Sequence, residues 1–233
     1  MKQLTLVCVL MGALISSTVF AADPFEGKIS LNITTAKGRT QKLDLAMKGK
    51  LQRMDMAMGE KTMGSILDLE KRQVTVMMPE QQMYMVMPMR DAAAAAKQEA
   101  TEAKLEKTGQ TEKILGYLCQ LCTVKVNGKT TEMWLAEGLG SFIGMGGAAS
   151  PMGGRPPPQS TWEKALAGVE GFPLRVVEKD AAGKEVFRME ATRVEKAAQP
   201  DALFAPPAEY RLFDMGAMMQ GMPGGKNPFN RGN

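Results

Sequence analysis

Apolar and polar residues alternate with a period of two through the first third of this chain. From Phe25 to Thr35, Phe25, Ile29, Leu31 and Ile33 share one parity, and Glu26, Lys28, Ser30, Asn32 and Thr34 share the other. Successive side chains of a strand point to opposite faces, so the pattern predicts a strand with one buried face. Ala36-Lys37-Gly38 turns the chain, and Leu43, Leu45 and Met47 alternate again against Lys42, Asp44 and Lys48. After Gly49, Met54, Met56 and Met58 oppose Arg53 and Asp55, and Ser65 to Leu69 and Gln73 to Met78 continue the meander. Short strands joined by tight turns favour antiparallel pairing. Met83, Met85, Met87 and Met89 share one face of a further strand, with Tyr84 and Val86 on the other. With both faces apolar, this strand is expected to be covered on both sides.

Residues 91–106 change to helical composition: Asp91 as a first-turn acid, then a narrow stripe of Ala92, Ala96, Ala100 and Ala103, with Gly109 ending the region. Strands are expected to resume from Ile114 to Val126, and Asn127-Gly128 is the strongest hairpin signal in the chain. The return strand covers about Thr130 to Leu135. Residues 144–159 are rich in Gly and Pro and read as a flexible insert. Ser160 caps a short helix to about Ala167, and Leu174 to Lys179 with Glu185 to Glu195 make a final hairpin across Ala181-Ala182-Gly183. From Asp214 onward Gly, Met, Pro and Asn dominate, which predicts a disordered tail over 214–233.

The N-terminus adds a compartment. Lys2, the apolar run from Leu4 to Ile15 and the small-x-small pattern Val19-Phe20-Ala21 read as a secretory signal, residues 1–21, cleaved after Ala21. The run is too short to span a membrane, and Cys8 lies within it rather than at a lipid-modification site. Residues 22–213 are then expected to form a single domain in the periplasm or outside the cell. The net charge of +4 is scattered, which argues against nucleic acid as a partner. Histidine is absent, so the commonest general base and metal ligand are missing, and no nucleophile, base and oxyanion site can be assembled. The reading is a non-enzyme that needs no cofactor.

Three features remain as candidate chemistry. Cys119 and Cys122 form a C-x-x-C within strand-forming flanks, where residues three apart lie about 10 Å from each other, beyond disulfide reach. A local disulfide on a bulge, a pair of buried thiols, a metal site and a redox site all stay open. Methionine numbers 21 against 13 aromatic residues (Phe, Trp and Tyr), so it supplies much of the large apolar volume. Thioethers line adaptable apolar cavities, and they also suit Cu(I). Met54-x-Met56-x-Met58 and Met83-x-Met85-x-Met87 are the candidate sets, with Met215, Met218, Met219 and Met222 as a possible tail site. The carboxylate pairs Asp68 with Glu70 and Asp44 with Asp55 fit a solvated sheet face. Trp134 reads as core, and Trp162 as an anchor for the short helix at the rim of a concavity.

Several short segments in order resemble a family of exported bacterial proteins of unknown function. They are Phe25-Glu26-Gly27, Arg53-Met54-Asp55-Met56, Ile66-Leu67-Asp68, Val76-Met77-Met78-Pro79 with Met83-Tyr84, Gly116-Tyr117-Leu118-Cys119, Glu132-Met133-Trp134, and Leu203-Phe204 through Pro207 and Tyr210 to Asp214-Met215. Cys122 and the Pro/Gly insert depart from the family pattern. The resemblance implies the half-barrel of the lipoprotein carrier LolA and the stress sensor RseB, and it carries over no functional residue. The expected fold is therefore α+β: a strongly curved antiparallel sheet, an incomplete barrel, with short helices near 91–106 and 160–167 covering its concave face. The expected role is to hold a hydrophobic ligand, a lipid or a lipoprotein against Ile29, Leu31, Met54, Met56, Met58, Met83, Met85 and Met87. A Cu(I)-binding envelope protein, or a sensor or scaffold binding another envelope protein, is the alternative.

Overall fold

The computed structural model describes residues 25–58, 61–89, 105–143, 160–166 and 169–213. Its strands are β1 (Glu26–Thr35), β2 (Thr40–Lys48), β3 (Leu51–Met58), β4 (Lys61–Asp68), β5 (Gln73–Met78), β6 (Met83–Pro88), β7 (Glu106–Ile114), β8 (Tyr117–Val126), β9 (Lys129–Ala136), β10 (Phe172–Lys179), β11 (Glu185–Lys196) and β12 (Arg211–Leu212). One α-helix stands among the described residues, α1 (Thr161–Ala165). All twelve strands join one sheet in the order β12-β6-β5-β4-β3-β2-β1-β11-β10-β9-β8-β7. Every pairing is antiparallel except β12 with β6. The sheet is open, with β7 and β12 at its two edges.

The two halves of the sheet differ. From β1 to β6 the registers run without a shift. From β11 to β7 they are broken by irregularities at Ser30/Leu31, Glu178/Lys179, Pro173/Arg175 and Lys107/Thr111. An extra residue bends its strand and increases local twist, so curvature is built mainly into this second half. At the first bulge Thr192 turns its hydroxyl back onto the Ser30 carbonyl at 3.2 Å.

Turn chemistry explains the connections. Asn127 (φ 51°) and Gly128 (φ 75°) make the expected tight hairpin between β8 and β9. Asp180 Oδ1 accepts the backbone N–H groups of Ala182 and Lys184 and so closes the turn between β10 and β11. At α1 the Glu163 carboxylate accepts both the N–H and the hydroxyl of Ser160, each at 2.9 Å.

Three expectations change. The stretch Ile114 to Val126 is not one strand: Leu115 (φ 49°) and Gly116 (φ 89°) form a second tight turn, joining β7 to β8. Strand β7 begins at Glu106, where the helix over 91–106 was expected to end, and Gly109 lies inside it at the bulge rather than after a helix. Its sequence, EKTGQTEKI, carries no alternation because it is an exposed edge strand with little to bury. Residues 90–104 lie outside the described residues, as do the insert at 144–159, the tail from 214 and the segment 1–24. Among the described residues, the helix that can contribute to the expected cover is α1, five residues long.

The main core lies on one face of the sheet. It joins Ile29, Leu31, Leu43, Leu45, Met54, Leu67 and Val76 to Met133, Leu174, Val176 and Met189 of the bulged half. Trp162 and Leu166 bring α1 into the same core, where Trp162 stacks on Phe142 with ring centroids 5.7 Å apart. A smaller cluster of Ala46, Ile66, Met77 and Phe204 lies apart from it. It is covered by residues 199–213, a strap that sequence patterning did not reveal. Lys48 Nζ bonds the Gln199 carbonyl and Asp201, Arg53 bonds the Leu203 carbonyl, and the strap ends by pairing beside β6. Tyr84 packs under this strap whereas Val86 is 41% exposed, so only part of β6 is covered on both sides.

Candidate functional site

Residues paired across neighbouring strands point to the same face, so the registers define three rows across the inner side of β1 to β6. The first runs Leu31, Leu43, Met56, Met63 and then, on the next two strands, the partnered Met78 and Met83. The second runs Ile29, Leu45, Met54, Ser65, Val76, Met85. The third runs Gly27, Met47, Gln52, Leu67, Val74, Met87. Of the wall residues expected from sequence, Ile29, Leu31, Met54, Met56, Met83, Met85 and Met87 thus share one face. The side chain of Met58 lies outside the described residues, as do Met215, Met218, Met219 and Met222.

The rows differ in exposure. Ile29, Leu31, Met54 and Met85 are buried and packed into the core. Met56, Met78, Met83 and Met87 are half-buried, and Met63 is 42% exposed. The methionine row therefore forms a ledge at the margin of the core, an exposed apolar surface continuous with buried apolar side chains. Sequence reasoning missed Met63 and Met78: each stands outside the M-x-M-x-M runs, and only the pairing of β4 and β5 with their neighbours brings them in.

A cavity of about 290 Å³ opens at the end of the third row, lined by Phe25, Met47, Gly49, Lys50, Leu51, Gln52, Leu69, Gly138, Gly140, Ser141 and Ile143. It lies where the loop after β9 folds back to the β2–β3 and β4–β5 turns. None of the eight wall residues expected from sequence lines it, because turns and a distant loop build it and no periodicity marks them.

Cys119 and Cys122 are both free thiols, fully buried in the main core. Burial holds both above the ordinary thiol pKa; nearby Glu112 pushes Cys119 further up, while Lys107 opposes the shift at Cys122. The thiolate is the reactive form, so both should resist alkylation in the native protein. At pH 8, iodoacetamide is expected to leave them unmodified by mass spectrometry and to label both within minutes in 8 M urea. Labelling of the native protein at the denatured rate would contradict this burial.

The carboxylates are occupied with structure. Asp44 and Asp55 oppose each other on β2 and β3, but Ser30 Oγ donates to Asp44 at 2.5 Å and Arg53 forks onto Asp55 at 2.8 and 3.1 Å. Asp68 accepts the backbone N–H groups of Lys71 and Glu70, and the Lys71 bond is the main cause of its lowered pKa. On the bulged half Arg175 bridges Glu112 and Glu190, and Arg188 bridges Glu185 and Glu190. Trp134 is half-buried against the core, and Trp162, expected at a rim, is inside it at 1% exposure. Among the described residues no group of three or more Cys, Asp or Glu could hold a metal ion. Among them, too, no helix is long and apolar enough to cross a membrane.

The family model described as "Domain of unknown function (DUF4412)" matches residues 25–210, most of the chain. This chain belongs to that family. No curated protein matches it in sequence. Among solved structures, it is similar to an uncharacterized conserved protein from Thermus thermophilus, at 9% identity and a TM-score of 0.48, over 81% of this chain and 90% of that one. It is also similar to a chain in the MucA/MucB complex of Pseudomonas aeruginosa, at 12% identity and a TM-score of 0.48, over 79% of this chain. It spans 56% of that chain's length. A putative outer membrane lipoprotein-sorting protein domain from Vibrio parahaemolyticus matches at 8% identity and a TM-score of 0.19, over 76% of this chain and 87% of that one.

Proposed function

We propose that this DUF4412 protein is an exported, non-enzymatic binding protein that holds an apolar group of a ligand, lipid or lipoprotein against the methionine ledge of β3 to β6. Residues 1–21 are its signal, 22–213 its binding domain and 214–233 a tail. The observation that carries the reading is the two cross-strand pairs Met56–Met63 and Met78–Met83: large apolar side chains, partly exposed, on the same face of four neighbouring strands. Flexible thioethers can re-pack around varied shapes, and an exposed apolar patch beside a core commonly marks an interaction surface.

Titration with the neutral fluorophore N-phenyl-1-naphthylamine tests it on the mature chain. Met63→Asp places a charge on the ledge at an already exposed position. It should weaken binding about tenfold, on the scale of the 1–3 kcal/mol carried by one buried apolar group, while Met63→Leu keeps the affinity. Equal binding by all three proteins would remove the ledge from the function.

The same row favours a second reading. Directly paired residues on neighbouring strands have Cβ atoms about 5 Å apart, closer than the i, i+2 spacing within one M-x-M-x-M strand. The two thioether pairs so placed, Met56 with Met63 and Met78 with Met83, suit Cu(I). The variants separate the two readings: Leu at 56, 63 and 83 together keeps an apolar surface but removes three sulfurs. Competition with bathocuproine disulfonate should then show Cu(I) uptake lost, with fluorophore binding retained, if the site holds metal.

A further inference from the structure

Two tight hairpin turns in this chain share a backbone geometry and differ in residues. Asn127 (φ 51°) and Gly128 (φ 75°) join β8 to β9, while Leu115 (φ 49°) and Gly116 (φ 89°) join β7 to β8. Left-handed backbone tolerates Asn, whose short polar side chain bonds locally, and disfavours Leu. Burial would offset that cost, yet Leu115 is 45% exposed. Leu118, just past the turn, is 69% exposed, the most exposed large apolar residue among the described residues. Tyr117 is half-buried, and a Cβ built on Gly116 meets nothing within 4 Å. The run Ile114-Leu115-Gly116-Tyr117-Leu118 therefore ends the hairpin in an open apolar tip, of which only Ile114 is fully buried.

We infer that this tip is a membrane-contact site, with Leu115 and Leu118 entering the headgroup region of a phospholipid bilayer. A residue that breaks a local rule with no gain in packing points to a use outside the fold. The occupant follows from area and shape. Two partly exposed leucines at the end of a hairpin offer far less than the roughly 800 Å² that each partner gives a standard protein interface. A bilayer needs no matching surface: it deforms around a few apolar side chains, and each gains by leaving water. Tyr117 beside them has the apolar ring and polar hydroxyl that suit the membrane–water boundary. Lys113, the partner of Leu118 on β7, is exposed, whereas Glu112 is held by Arg175 at 2.9 Å. The Lys113 stem can carry its ammonium to a lipid phosphate. With the exposed Glu137 following β9 one strand on, charge adds little and the leucines carry the contact. The adjoining edge strand also resists a second copy. Set antiparallel to itself about Gln110, β7 opposes Lys107 to Lys113, and about Gly109 it opposes Glu106 to Glu112.

The inference rests on the reading of this chain as exported, which brings it to a bilayer surface, and not on the methionine ledge of β3 to β6. The test floats the mature full chain with vesicles of equal parts phosphatidylethanolamine and phosphatidylglycerol. Wild type should float with them and stay bound in about 1 M salt, where exposed charges are screened beyond roughly 3 Å, because apolar insertion is not screened. Leu115→Asn combined with Leu118→Thr supplies residues that the turn and the strand prefer. This double variant should unfold at no lower a temperature than wild type and bind the vesicles at least tenfold more weakly. Met63→Asp should bind them as wild type does, so failure of the ledge and failure of the tip give different results. Binding that salt removes, equal binding by the double variant, or no flotation of wild type would overturn the assignment. So would a wild-type dimer in sedimentation velocity that the double variant abolishes, which would give the tip to a second copy.

Discussion

Replacing Trp162 with alanine will lower the free energy of unfolding by about 3–5 kcal/mol. Trp162 is 1% exposed, stacks on Phe142 and lies 6.1 Å from the ring of Phe187, while Phe142 packs edge-on against Phe172. Through these rings α1 and the loop after β9 are fixed to β10 and β11. A five-residue helix has little stability of its own, so removing the indole leaves a cavity that α1 cannot be expected to fill. Urea denaturation monitored by circular dichroism should show a lower midpoint with little change in slope. A loss below about 1 kcal/mol would mean that α1 rests on the sheet without completing its core.

The second large effect is expected at Gly27, where alanine should cost about 3 kcal/mol or more. A Cβ there would collide with the Glu195 carbonyl oxygen and lie 2.7 Å from Phe25 Cζ. The carbonyl belongs to the backbone of β11 and cannot rotate away, so the β1–β11 pairing has to open. That pairing joins the regular half of the sheet to the bulged half. Gly38→Ala is the control: its φ of +72° disfavours a side chain, but nothing lies within 4 Å. The penalty for alanine in the left-handed region is roughly 1–2 kcal/mol. Equal losses in the two variants would indicate that β1 and β11 can separate locally at little cost.

These effects bear on what sequence could reveal. The alternation in β1, β2 and β3 followed directly from Ile29, Leu31, Leu43, Leu45 and Met54, because a strand with one buried face leaves a period of two. The Asn127-Gly128 turn was legible because few residue pairs accept positive φ at both central positions. The helical composition expected to run through 106 and the edge strand from Glu106 show the limit of such reasoning. EKTGQTEKI buries only Ile114 and carries no apolar period, so its strand state is set by pairing with β8.

The candidate site divides in the same way. Sequence by itself established alternating strands, a scarcity of catalytic side chains and an unusual supply of thioethers on the buried parity, because these depend on residue type and local period alone. Tertiary structure decided that Met63 and Met78 complete a row with Met56 and Met83, and that the C-terminal strap covers Ile66 and Met77. It also placed Gln52 in the wall of a cavity closed by a loop more than eighty residues away in the chain. The reason is that strand order and register, which set who stands beside whom, are long-range choices, made by bulges, turns and mutual burial that no single strand records.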